Sequence, residues 1–136
     1  MVFIRLVRGR RDPALYLWST DSLSHDSWYT ELAKDVNRFL YVGELEDGEK
    51  VGVCRLDINA TRNIAEVSIN LNPEMRGKNL ASQLLSATIE VFAEENKMVL
   101  KATIKKTNIA SVKCFTKCGF VLDRDDQEYG YYVLEV

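Results

Sequence analysis

Arg76, Gly77, Lys78 and Asn79 follow one another at the head of a segment whose apolar residues recur with a helical period. The first backbone N–H groups of a helix have no intrahelical partner and sit at the positive end of its dipole. A cationic, glycine-containing turn there can hold an anion such as a pyrophosphate. The same residues also suit an ordinary turn before an ordinary helix. The spacing is neither that of a P-loop, Gly-x-x-x-x-Gly-Lys-Ser/Thr, nor that of a dinucleotide fingerprint, Gly-x-Gly-x-x-Gly.

Nucleophilic and metal chemistry find less support. His25 is the only histidine, so a Ser-His-Asp or Cys-His device would depend on it alone. Cys54, Cys114 and Cys118 cannot all pair, and no C-x-x-C or Cys/His spacing suits a metal, so no metal is expected. Cys114 and Cys118, four residues apart, read as small buried hydrophobes on a helix.

The elements that must position these residues follow from periodicity and breakers. Residues 3–7 read as a first strand, broken by a charged stretch containing Pro13. Trp28, Leu32 and Val36 recur every four residues in a segment over 25–39, an amphipathic helix for which Asp21, Ser22 and Ser24 offer caps. Residues 39–45 and 50–58 are β-rich runs separated by Glu46-Asp47-Gly48-Glu49, which signals a hairpin. In a strand over 64–71, Ala65, Val67, Ile69 and Leu71 share one face while Glu66, Ser68 and Asn70 share the other, wetter one. Pro73 ends that strand, and from Arg76 to about Glu95 a wide apolar stripe that includes Leu80, Leu84, Leu85, Val91 and Phe92 predicts a long buried helix. Residues 98–104 return to β character, 108–120 predict a second helix that stops at Gly119, and 120–123 with 129–136 supply two closing strands.

With 136 residues, 46% hydrophobic and 28% charged, the chain has ordinary globular composition, and a single domain over 1–136 is expected. A net charge of −2 leaves no general affinity for nucleic acid or an anionic membrane, so any phosphate site must be local. No apolar run approaches the roughly 20 residues of a membrane span, and the first residues are wrongly ordered for a signal peptide. A cytoplasmic location is the expectation.

Two stretches together resemble the GNAT family of acetyl-CoA-dependent N-acyltransferases. Its first signature, Arg/Gln-x-x-Gly-x-Gly/Ala after a strand, is met at its ends by Arg76 and Ala81, with Asn79 where the family has its middle glycine. Asparagine tolerates unusual backbone angles better than other common non-glycine residues. Its second signature, Asn-x-x-Ala/Ser-x-x-x-Tyr-x-x-x-Gly-Phe, is matched by Asn108, Ser111, Gly119 and Phe120, with Phe115 at the tyrosine position. Their order and separation, and the order of strands and helices, agree with the family along essentially the whole chain.

The resemblance implies an α/β (α+β) fold. Its mixed, mostly antiparallel central sheet of six to seven strands is flanked by helices and splays in a V between the fourth and fifth strands. The pantetheine arm of acetyl-CoA would enter that splay beside Ile69 and Leu71, one of whose amides would polarise the thioester carbonyl. Amides of Arg76, Gly77, Lys78, Asn79, Leu80 and Ala81 would hold the pyrophosphate, with charge from Arg76 and Lys78. Asn108 and Ser111 would orient the thiol end, with Phe115 packed beside it.

The implied reaction is direct attack by a primary amine of a small molecule, with Glu66 the candidate general base; the alternative for Glu66 is a solvated strand glutamate. Phe115 has no proton to give the departing thiolate. Tyr129, Tyr131 or Tyr132 is the alternative acid, or the thiolate leaves without one. His25, Trp28 and Asn70 are the candidate acceptor contacts, Trp28 reading more readily as a core anchor. A family bulge near Ser68 would turn Asn70.

Residues 23–32 with the hairpin look closest to enzymes acting on amino-sugar nucleotides or protein N-terminal amines. A protein N-terminal or lysine acetyltransferase and a non-catalytic acyl-CoA-binding module are the rival readings. No nucleic-acid or membrane partner is expected. The chain would be a monomer or homodimer, with residues 129–136 either pairing with a partner or covering their own core.

Overall fold

The computed structural model describes residues 5–8 and 38–136. Four strands come first, β1 (Arg5–Arg8), β2 (Arg38–Glu44), β3 (Lys50–Asn59) and β4 (Ile64–Leu71). They are followed by α1 (Leu80–Glu95), β5 (Val99–Lys105), α2 (Ile109–Lys117), β6 (Val121–Asp125) and β7 (Tyr129–Glu135). All seven strands lie in one sheet of order β1-β2-β3-β4-β5-β7-β6. Every neighbouring pair is antiparallel except β4 and β5, which are parallel. Among the described residues, no helix is long and apolar enough to cross a membrane.

The period of two sorts the central strands into faces. Cys54, Leu56, Ala65, Val67, Leu100, Ala102 and Ile104 are buried together with Leu80, Leu84, Leu85 and Phe92 of α1, forming the main core. Arg55, Asp57, Glu66 and Ser68 stand on the opposite face, paired in register as Arg55 with Ser68 and Asp57 with Glu66.

The pairing of β4 with its two neighbours is unequal. Against β3 it pairs from Ile64 to Leu71, whereas against β5 only Ile64, Ala65 and Glu66 find partners, at Val99, Leu100 and Lys101. On its other edge β5 pairs with β7 along its whole length, from Val99 to Lys105. Past Glu66 and Lys101 the two parallel strands therefore separate, which is the expected V.

Several expectations change. Arg38 and Phe39 belong to β2, so the predicted helix over 25–39 cannot reach its stated end; its residues 25–37 lie outside the described residues. α1 begins at Leu80 rather than Arg76, because Gly77 and Asn79 hold left-handed backbone, φ 75° and 59°, which no right-handed helix accommodates. Pro73–Met75 forms a short 3-10 turn before them. Val91 is exposed, not part of the buried stripe. The register of β4 with β3 is unbroken, so no bulge near Ser68 interrupts it. β7 is paired with β5 from Tyr129 to Glu135 and with β6 from Gly130 to Val133.

Candidate active site

The open end of the V is a cleft of about 660 Å³. Ile69, Asn70 and Leu71 line it from β4, and Arg76, Gly77, Asn79, Leu80 and Ala81 from the turn and the start of α1. Asn108, Ser111, Lys113, Cys114 and Lys117 line it from α2 and its cap.

Backbone donors are aimed into this space from two directions. The Asn63 carbonyl accepts from the Val99 amide across the β4–β5 edge, at 3.2 Å, while the Asn72 amide donates to Val51 on the β3 side, at 2.8 Å. By strand alternation the odd-numbered residues of β4 face β5, so the N–H groups of Ile69 and Leu71 point into the gap past the last rung.

The second source is the start of α1, where no side chain caps the first amides. The contrast with α2 is direct: there the Asn108 carboxamide oxygen accepts from the Ser111 amide at 3.2 Å. Asn79, the N-cap of α1, turns its side chain elsewhere. Its oxygen accepts from the Ser82 hydroxyl and the Lys117 ammonium, each at 3.3 Å. The turn is anchored by Asn72, which donates to the Lys50 carbonyl at 2.8 Å and accepts from the Glu74 amide at 3.1 Å.

Arg76, Lys113 and Lys117 supply positive charge around these amides. The two lysines were not anticipated, although their four-residue spacing on a predicted helix places them on one face and was visible in the sequence. Lys78 is exposed and does not line the cleft. Cys114 does line it, but burial pushes its thiol up to about 11, so it is neutral at ordinary pH.

Other expected residues lie elsewhere. Phe115 is 3% exposed and packs edge-on against Phe120 at a centroid distance of 5.0 Å, so it belongs to the core and does not border the cleft. No tyrosine among the described residues lines the cleft. The Tyr131 hydroxyl donates to Asp126 at 2.7 Å, a bond that raises its pKa, and Tyr132 packs against the core. Glu66 is exposed on the opposite face, in a separate depression of about 400 Å³ shared with Arg38, Asp57, Arg62 and Lys101. It occupies the last rung before the strands part. Asn70 lines the cleft, while His25 and Trp28 lie outside the described residues.

Residues 4–120 match the Acetyltransferase (GNAT) family. The chain belongs to the GNAT family. It is accordingly an N-acetyltransferase that uses acetyl-CoA. No curated protein matches the sequence.

Among solved structures, the GNAT chain resembles the spermidine/spermine N-acetyltransferase SpeG from Vibrio cholerae in two mutant forms. The TM-score is 0.76 at 18% identity, over 98% of this chain and 95% of that one. The same enzyme in complex with CoA and spermine gives 0.76 at 19% identity, over 97% and 95% of the two chains. A chimera of it with hSSAT gives 0.78 at 19% identity over the same shares. At this identity the likeness establishes the fold.

Proposed function

We propose that this GNAT chain acetylates the primary amine of a small molecule, by direct attack of the amine on the thioester of acetyl-CoA. The observation that carries the proposal is the uncapped start of α1 at the mouth of the β4–β5 gap, facing the same cleft as the unpaired amides of Ile69 and Leu71. A pantetheine arm has amides that can pair with Ile69 and Leu71 as an added strand would. The amides from Gly77 to Ala81, with Arg76, Lys113 and Lys117, suit a pyrophosphate.

Acetyl-CoA supplies the thioester carbonyl, and the chain's own groups do the rest. One of the two β4 amides donates to the carbonyl oxygen as negative charge develops there. Glu66, at the vertex on the opposite face, takes the proton of the incoming ammonium, directly or through a water. Asn108 lines the cleft near Ser111 and can still donate its side-chain N–H groups toward the thiol end, since only its oxygen is used in capping. With phenylalanine at position 115, the thiolate leaves without a tyrosine proton, which its modest basicity permits.

The small-molecule amine acceptor is supported by the solved SpeG complex with spermine, and an amino-sugar nucleotide by the sequence likeness. Thermal unfolding with acetyl-CoA, CoA and ATP is the test, because a ligand that binds only the folded state stabilises it by mass action. The midpoint should rise with both CoA forms and not with ATP, and CoA thiol should then be released with an amine. Stabilisation by CoA with no amine turned over would leave a binding module, a reading that Phe115 favours. A midpoint unmoved by any ligand would end both.

A further inference from the structure

The depression around Glu66 has more positive than negative charge. Its charged lining is Arg38, Asp57, Arg62, Glu66 and Lys101. Asp57 is engaged twice, by Arg38 Nε at 3.1 Å and by Arg55 Nε at 3.1 Å. Glu66 is left as the carboxylate for the amine. Among the described residues, neither Arg62 nor Lys101 has a carboxylate within ion-pair distance. Lys101 lies over the Tyr131 ring, 5.6 Å away, which it shares with Arg124 at 4.0 Å.

We infer that the acceptor carries, beside its amine, an anionic group, a carboxylate or a phosphate, received by Arg62 and Lys101. The inference rests on the acetyl-transfer reading above and names the class of amine. Once Glu66 holds the ammonium, both cations remain uncompensated beside it, and an anion on the same molecule removes that repulsion. The geometry also bounds size. Lys101 stands directly across the ladder from Glu66, a spacing of about 4.8 Å between strands. Arg62 lies four residues upstream, in the turn of residues 60–63 that leads into β4, and lines the same depression. A carboxylate next to the amine meets Lys101, and a phosphate a few bonds away meets Arg62. A polyamine would instead set further ammonium groups against the same two cations, so this depression is unsuited to the spermine held by the SpeG structure it resembles.

The test compares acceptors at saturating acetyl-CoA in matched pairs, lysine with cadaverine and glucosamine 6-phosphate with glucosamine, with spermidine as the polycation. The anionic member of at least one pair should exceed its counterpart in kcat/KM by about tenfold or more, as expected for charge-assisted contacts. Which pair responds separates carboxylate from phosphate. In the Arg62→Ala, Lys101→Ala double variant that excess should vanish. Equal or better turnover of the members that lack the anion, preference for spermidine, or an excess that survives the double variant would overturn the inference. If nothing is acetylated, calorimetric titration of the same ligands into the CoA complex decides. Tighter binding of lysine or glucosamine 6-phosphate that needs Arg62 and Lys101 would uphold the anion site while the acetyl-transfer reading falls. Binding no tighter than that of cadaverine or glucosamine would overturn the site itself.

Discussion

Gly77 and Asn79 carry the turn at φ 75° and 59°, and each is chosen for that backbone rather than for crowding. A Cβ added to Gly77 meets nothing within 4 Å, so only the left-handed backbone opposes it, and Gly77→Ala should cost about 1 kcal/mol of stability. Combined with Arg76→Ala, it should raise the Kd for CoA by about tenfold or more in calorimetry. An unchanged Kd would remove the turn from the site. Asn79 keeps the geometry of the family's glycine while its side chain ties α1 to Lys117 of α2. Glu66 makes a different prediction. A carboxylate accepts a proton only when ionised, so the wild-type rate should show an acid limb. Glu66→Gln should lack that acid limb with CoA affinity intact. A normal limb in the variant would hand the role to water or another residue.

Elements enter through the way β3 holds β4 at the mouth of the cleft. A Cβ on Gly52 would lie 2.7 Å from the Asn70 carbonyl oxygen, 3.1 Å from Leu71 Cα and 3.1 Å from Leu84 Cδ2. Two of those atoms are backbone, so Gly52→Ala must push the end of β4 outward and carry the Ile69 and Leu71 amides with it. Overpacking of this kind costs about 1–3 kcal/mol. The variant should therefore lose both thermal stability and CoA affinity; loss of stability with full affinity would separate those amides from the cofactor. Asn108 shows what was readable at this scale. The sequence pattern places it inside the helix over 108–120, and the structure makes it the cap of α2 instead; nor does the sequence contain any sign that the matching cap on α1 is missing. Whether an amide is satisfied depends on where a neighbouring side chain turns, and Asn79 turns toward α2.

At the scale of the whole molecule, burial makes the thiols a pH liability. Cys54 is pushed up to about 12 and Cys114 to about 11, with Cys118 also raised, in each case chiefly by desolvation. A hydrogen bond to Thr88 offsets part of this at Cys54. Free thiols ionise near pH 8.5, so above that the unfolded chain gives up protons that the folded chain keeps. Stability from these groups is therefore fully present below about pH 8.5 and is lost as pH rises toward the folded values. Denaturant unfolding between about pH 8 and about pH 11 should show a decline that is shallower in Cys54→Ala. An identical decline in both proteins would assign it to other groups.

Local chemistry determined much by itself. The limits of β4, the hairpin at Gly48, the stop at Gly119 and the anion-suited turn at Arg76–Asn79 depend on residues adjacent in sequence, whose backbone preferences act without distant partners. Tertiary structure decided the rest. β5 parts from β4 after Lys101 while its other edge stays paired with β7 to Lys105, a choice of partners and register that no periodicity encodes. Phe115 turned inward to Phe120, and Lys113 and Lys117 outward to the cleft, because a helical pattern sets which residues share a face but not what that face meets. Glu66 and the Arg76–Asn79 turn are ten residues apart in sequence and line two separate depressions, because the chain leaves β4 at Leu71 and turns before α1.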